Sequence, residues 1–121
     1  QIETFYDGPF TVNDSASVIN SNFERMQKSV YRSISNTDSE IVKEAITDAR
    51  NCAAIIQEEV PVVKAHFLGD QQIIDRLEEA LAKLAPMREH VLTLASENQK
   101  AEAADYMEHN NILAIQRHRW Y

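Results

Sequence analysis

The sequence "LAPMREHVLTLASENQKAEAADYM", residues 84–107, contains two helical patterns separated by a short polar break. Apolar residues recur every three or four positions on both sides of the break, as one buried face of an α-helix requires. The break, Ser96-Glu97-Asn98, is short enough to join only antiparallel neighbours. Asn98 can take the left-handed backbone conformation that such a reversal uses. The stretch therefore predicts a helical hairpin.

The same spacing continues through the rest of the chain and divides it into four helical segments, the last running from about Glu97 to the end. The apolar positions predicted to face the core are Val12, Ala16, Ile19, Phe23, Met26, Val30 and Ile34; Val42, Ala45, Ala49, Cys52, Ile56, Val60, Val63 and Phe67; Ile74, Leu77, Leu81, Leu84, Met87, Val91 and Leu94; and Ala103, Tyr106 or Met107, Leu113, Ala114 and Trp120. Residues suited to begin the first three helices are Asn13 or Asp14, Thr37 with Glu40 as a capping box, and Asp70.

Pro61 and Pro86 fall inside the second and third segments, where each removes a backbone hydrogen bond. Periodicity continues through both prolines, so we expect kinks rather than helix ends. Connections of two to six residues predict an all-α, antiparallel up-down-up-down four-helix bundle, a single domain over residues 1–121 with both termini at one end. Composition agrees, because 44% hydrophobic residues with two glycines and three prolines leave little turn material for a sheet.

The overall charge and the cysteine count exclude some kinds of partner. A net charge of −7 repels nucleic acid and anionic lipid, so neither is expected as a partner. Cys52 is the single cysteine, which rules out an intrachain disulfide, and its apolar neighbours predict burial. The sequence begins with Gln1 and stops at "HRWY", a basic and aromatic pattern typical of helices that meet a membrane interface. We therefore expect a fragment of a longer protein.

Catalytic and metal-binding motifs do not occur in the sequence. Di-iron bundles need Glu three residues before His, whereas Val, Met, Tyr and Ile precede the four histidines. A zinc motif, a haem-attachment motif, a nucleophile elbow and a phosphate-binding glycine loop are missing as well. The expectation is a non-enzymatic domain without a metal or cofactor. A haem held by one Met and one His, such as Met26 with His118, is compatible with the spacing and stays as the remote alternative.

A basic stripe on the first helix is the clearest polar pattern. At 100° per residue, Arg25, Lys28 and Arg32 share one face, nearly opposite the apolar stripe. Residues 12–35 carry a net charge of +1, whereas residues 70–110 carry −5. The stripe has two interpretations. It is a solvated face, or it binds a carboxylate-bearing ligand or the acidic face of a second subunit.

Other polar residues stand where the helical pattern calls for apolar ones. Asn110 and Asn111 do so in the fourth helix, either as buried amides that fix helix register or as the polar lining of a ligand pocket. Arg88 stands beside the third apolar seam, where the pattern predicts a side chain extended along the bundle edge toward solvent.

Two segments, "YDGPFTVNDSASVINSNFERMQKSVYRSIS" and "LEEALAKLAPMREHVLTLASENQKAEAADYM", resemble the four-helix-bundle sensor domain of bacterial transmembrane receptors. Chemoreceptors, sensor histidine kinases and diguanylate cyclases carry such domains. The resemblance covers nearly the whole chain, although "ASEN" stands where the family commonly has a glycine turn.

The resemblance implies an extracytoplasmic, periplasmic domain between two flanking transmembrane helices, homodimeric in the receptor. Such a domain passes a small helix displacement to a cytoplasmic output module. Its ligand would be a small anionic metabolite or a periplasmic binding protein. In the family's amino-acid chemoreceptors, arginines of the first helix hold the ligand carboxylate at the dimer interface, a region comparable to that of Arg25, Lys28 and Arg32. The alternative is a non-sensory helical interaction or structural module.

Overall fold

The computed structural model describes the backbone of residues 2–110 and the side chains of residues 12–110. Four helices follow one another: α1 (Ile2–Ser35), α2 (Ser39–His66), α3 (Gln71–Ser96) and α4 (Lys100–His109). The described part of the chain contains no strand. The helices pack as a four-helix bundle, which confirms the predicted all-α class. None of the described helices is long and apolar enough to cross a membrane.

Aspartate side chains cap the N-termini of α2 and α3. Asp70 caps α3 as predicted, because its carboxylate accepts a hydrogen bond from the amide of Gln72. The prediction for α2 was wrong by one residue: Asp38, rather than Thr37, accepts from the amide of Glu40. A carboxylate is a stronger acceptor than a hydroxyl at a helix N-terminus, where the helix dipole also favours negative charge.

The first helix begins earlier than its capping residues indicate. Neither Asn13 nor Asp14 starts it, since α1 already runs from Ile2. Both residues are exposed within the helix and face solvent. The prediction that neither proline ends its helix is confirmed, since α2 continues through Pro61 and α3 through Pro86.

The reversal between α3 and α4 depends on one residue in an unusual conformation. Asn98 has φ 60°, the left-handed region that the sequence predicts for it. The amide of Gln99 donates to the carbonyl of Leu94 at 2.8 Å, which closes the turn.

All four helices contribute to one core. Ile19, Met26, Leu84 and Leu92 are its largest fully buried apolar side chains. The α1–α2 interface is the most extensive, and small residues line it: Ser15, Ser29 and Ser33 on α1, and Ala45, Ala49 and Cys52 on α2 are all buried. Small side chains let two helices approach closely. The α2–α3 contact is looser and leaves a groove.

Candidate functional site

The basic stripe of α1 is exposed as predicted, but one of its members already has a partner. Arg25 lies against Asp48 of α2, with Nη2 2.6 Å from Oδ1 and Nε 3.1 Å from Oδ2. The pairing uses two parallel N–H groups, the geometry in which arginine holds a carboxylate most specifically. Part of the stripe therefore connects α1 to α2.

Asp48 is the centre of a small polar network between these helices. The Ser29 hydroxyl donates to its Oδ2 at 2.5 Å. The hydrogen bond from Arg25, followed by the one from Ser29, holds the pKa of Asp48 below its usual range. Arg32 lowers that pKa further through its charge. Because Asp48 offsets the charge of Arg25, the free positive charge of the stripe is reduced to Lys28 and Arg32, which form no salt bridge within residues 12–110.

Of the two predicted asparagines, the structure describes one. Asn110 is half-buried at the end of α4, and its Nδ2 donates to the carbonyl of Tyr106 at 2.9 Å. It also lines a broad, solvent-open groove of about 880 Å³ together with His90 and Glu102. Asn111 lies outside the described residues. The asparagine that can be placed is thus bonded to its own helix and borders a groove.

Arg88 is the polar residue that the apolar pattern misplaces. Periodicity puts it at the edge of the bundle, reaching toward solvent, and this expectation is wrong. Arg88 is half-buried, its Nε is buried without an acceptor among the described residues, and its Nη1 lies 3.8 Å from the Sδ of Met26, a fully buried residue of α1. The Nε and Nη1 groups therefore face the bundle interior.

No carboxylate within residues 12–110 forms a salt bridge with Arg88. Of the two nearest candidates by position, Glu78 pairs with Lys64 at 2.9 Å and Glu89 pairs with Arg50 at 3.1 Å. Burial lowers the pKa of Arg88, although the charge of Glu89 opposes the shift. A buried N–H without an acceptor costs roughly 1–3 kcal/mol, so the arrangement is unfavourable for the bundle alone.

A cavity of about 340 Å³ adjoins this arginine between α2 and α3. Its apolar walls include Ile56, Val60 and Leu81, and small side chains at Ala53, Ala82 and Ala85 leave the space. Its polar lining consists of Gln57, Glu78 and Arg88. The volume is at the lower end of the range for small-molecule clefts, about 300–1,000 Å³.

The sequence contains a signal for this site. Counted in heptads from Ile74 and Leu81, Arg88 occupies the next position on the same core-facing line. Met87, one residue earlier, also fits an apolar seam, so the pattern alone does not predict that Arg88 faces the core. A charged residue on this core-facing heptad line is the sequence feature that indicates a polar site between the helices.

The structure offers little support for metal or thiol chemistry in the region that it describes. No group of three or more His, Cys, Asp or Glu side chains in that region could hold a metal ion. Cys52 is buried, and burial raises the pKa of its thiol. Met26, one half of the haem alternative, is 1% exposed with Arg88 at its sulfur, and His118 lies beyond the described residues.

Comparison with protein-family models, with curated proteins and with solved structures finds no match to this chain.

Proposed function

We propose that this chain is the ligand-sensing domain of a bacterial transmembrane signal-transduction receptor. It lies outside the cytoplasm between two flanking membrane helices and passes a helix displacement to a cytoplasmic output module. The observation that carries the proposal is Arg88, a half-buried arginine whose buried Nε has no acceptor within residues 12–110 and which has a cavity beside it. A cost of this kind in the core is typical of a site kept for function rather than stability.

The packing of the helices supports a mechanism for signalling. The tight α1–α2 contact favours a unit that moves as one body, and the looser α2–α3 contact favours movement of α3 and α4 against it. A ligand between α2 and α3 shifts the balance between two packings of the helices if it binds one of them more tightly. Displacements of about 1–2 Å are sufficient for such switches. In this proposal α4 carries the displacement toward the membrane.

Exposed apolar residues support the orientation. Leu68 is 88% exposed and Ile73 is 55% exposed, both in or beside the connection between α2 and α3. In an up-down-up-down bundle this connection lies at the same end as the start of α1. The proposed receptor places this end next to the membrane, and the Asn98 turn at the far tip.

The remaining basic stripe fits the expected homodimer. Lys28 and Arg32 are exposed on α1 and lack salt bridges within residues 12–110. In the dimer they would meet an acidic face of the second subunit or of a periplasmic binding protein. Arg25 would serve the subunit itself through Asp48.

The location is tested with introduced cysteines in the full-length protein in intact cells. Leu68→Cys exposes a thiol, while the native Cys52 is buried and serves as the internal control. A membrane-impermeant maleimide should label Leu68→Cys in intact cells and leave the wild type unlabelled. Labelling of the variant only after lysis would refute an extracytoplasmic domain.

A second candidate, a non-sensory interaction module, is favoured by one apolar patch. Val18 of α1 is 36% exposed and Ile55 of α2 is 38% exposed. Each lies one heptad from the Arg25–Asp48 pair in the same direction along the bundle, so the two share the outer α1–α2 face. Loss of a co-purifying protein in a Val18→Ser, Ile55→Ser variant, together with no response to any small carboxylate, would favour this candidate.

A further inference from the structure

The cavity between α2 and α3 has one guanidinium, and the carboxylate on its lining, Glu78, pairs with Lys64 rather than with Arg88. Long helical side chains point back toward the helix N-terminus, so the Arg88 head lies over the turn that contains Leu84 and Ala85. Ala85 lines the cavity, as does Arg88 itself. Within the described chain its Nε has no acceptor, and its Nη1 touches only the weakly accepting sulfur of Met26. A planar guanidinium in this state is suited to a planar carboxylate, which accepts two N–H groups at once.

The two prolines each leave a backbone carbonyl without its helical donor in a residue that lines the cavity. Proline lacks an N–H, so Pro61 cannot donate to the carbonyl of Gln57, and Pro86 cannot donate to the carbonyl of Ala82. Gln57 and Ala82 both line the cavity, one on each wall. The carbonyls of Gln57 and Ala82 therefore lack their usual helical donors, and both residues border the same space as the guanidinium.

The rest of the lining limits the size and polarity of an occupant. Ile56, Val60 and Leu81 form an apolar surface that favours a short aliphatic body. Glu78 lies on the lining, and its carboxylate accepts from Lys64 at 2.9 Å, which offsets part of its charge. The lining thus combines a guanidinium, two residues whose carbonyls lack a helical donor and an aliphatic wall.

We propose that this cavity binds a small organic carboxylate with a short aliphatic chain and a hydroxyl or ammonium group beside the carboxylate. Arg88 holds the carboxylate, and the carbonyls of Gln57 and Ala82 accept from the neighbouring donor. The inference rests on the proposed sensing function and names the ligand class and its site, which differs from the basic stripe of α1.

The direct test follows the Arg88 Nε–H signal by ¹H–¹⁵N NMR during titration. The probes are 2-hydroxypentanoate, pentanoate and pentane-1,2-diol, which share a chain length and differ in carboxylate and donor. We expect 2-hydroxypentanoate to move the Nε–H signal at the lowest concentration, pentanoate to require about tenfold more, and the diol to leave it in place.

Matched variants separate the arginine from general charge. Arg88→Met and Arg88→Gln should weaken 2-hydroxypentanoate binding by about ten- to hundredfold, the range for a hydrogen bond to a charged group. Arg50→Met removes an exposed arginine that pairs with Glu89, the neighbour of Arg88, and should bind as wild type does. Retained affinity in both Arg88 variants, or an unmoved Nε–H signal with both carboxylates, would overturn the proposal. Equal affinity for pentanoate and 2-hydroxypentanoate would overturn the role of the two carbonyls.

Failure here is distinct from failure of the sensing function. If Leu68→Cys is labelled from outside the cell but Arg88 substitution does not change ligand binding, the receptor proposal stands and this ligand assignment fails. A protein labelled only after lysis loses the receptor proposal, whatever the carboxylates do.

Discussion

Replacing Arg88 with methionine should stabilise the unliganded bundle. Within residues 12–110 the buried Nε–H of the native side chain has no acceptor, and no carboxylate forms a salt bridge with it. Leaving such a donor unsatisfied costs roughly 1–3 kcal/mol. Methionine keeps an unbranched stem of similar reach and removes the polar group, and the lost contact to the Met26 sulfur is weak.

The free energy of unfolding should therefore rise by about 1–3 kcal/mol. For a chain between the small and medium size classes, each kcal/mol raises the melting temperature by about 3–6 °C. Urea unfolding followed by circular dichroism gives the free energy, and a thermal scan gives the temperature. A rise in midpoint with an unchanged slope would show that stability, rather than the unfolded state, has changed.

Arg50→Met is the matched control, because it removes an arginine whose side chain is 52% exposed and paired with Glu89. We expect it to change stability by no more than about 1 kcal/mol, and downward. If Arg88→Met is neutral or destabilising, the guanidinium is satisfied in solution, and the argument that the bundle keeps it for a ligand fails.

Three further predictions concern the rest of the bundle. Asp48→Asn should lower the free energy of unfolding by about 1 kcal/mol at pH 7, because the hydrogen bond from Ser29 is weakened. Since the folded pKa of Asp48 is lowered, this difference from wild type should persist above about pH 4 and fade as the pH drops through the folded pKa. Urea unfolding at several pH values measures it, and a constant difference would contradict the prediction. Leu92→Ala, at a position that is 0% exposed, should lower the free energy of unfolding by about 2–5 kcal/mol. Ile73→Ala, at a 55% exposed position, should change it by less than about 0.5 kcal/mol. Equal losses in urea unfolding would mean that the assigned core is wrong. Asn98→Val should cost about 1–2 kcal/mol and Asn98→Gly should be neutral or stabilising, since φ is 60° there; equal melting temperatures of the two variants would argue against the left-handed turn.

Much of the fold follows from local patterns in the sequence. Seam positions such as Ile19, Leu84 and Val91 are buried because apolar spacing of three and four residues defines one helix face. The left-handed backbone of Asn98 was predictable because asparagine is one of the few residues besides glycine that adopt it. The start of α2 was less so: Thr37 and Asp38 are adjacent, and the choice between them depends on acceptor strength rather than on pattern.

The site was harder to predict than the fold, because it depends on which helices meet. The partner of Arg25 lies 23 residues away on α2, and only the α1–α2 register brings Asp48 to it. Arg88 was misplaced because Met87 completes an apolar seam of similar quality, and a difference of 100° around the helix decides which of them faces the cavity. The space itself arises from small residues on two helices, Ala53 with Ala82 and Ala85, whose combination no single segment reveals.

In the proposed sensor, a carboxylate bound at Arg88 moves α4 relative to the α1–α2 unit. Spin labels at two exposed positions, Glu58→Cys on α2 and Asp105→Cys on α4, report that distance by pulsed electron paramagnetic resonance, with the buried Cys52 changed to serine. Saturating 2-hydroxypentanoate should shift the mean distance by about 1–2 Å in this background and leave it unchanged when Arg88→Met is added. An unchanged distance in protein shown by NMR to be saturated with the ligand would contradict the claim that this bundle is a sensor.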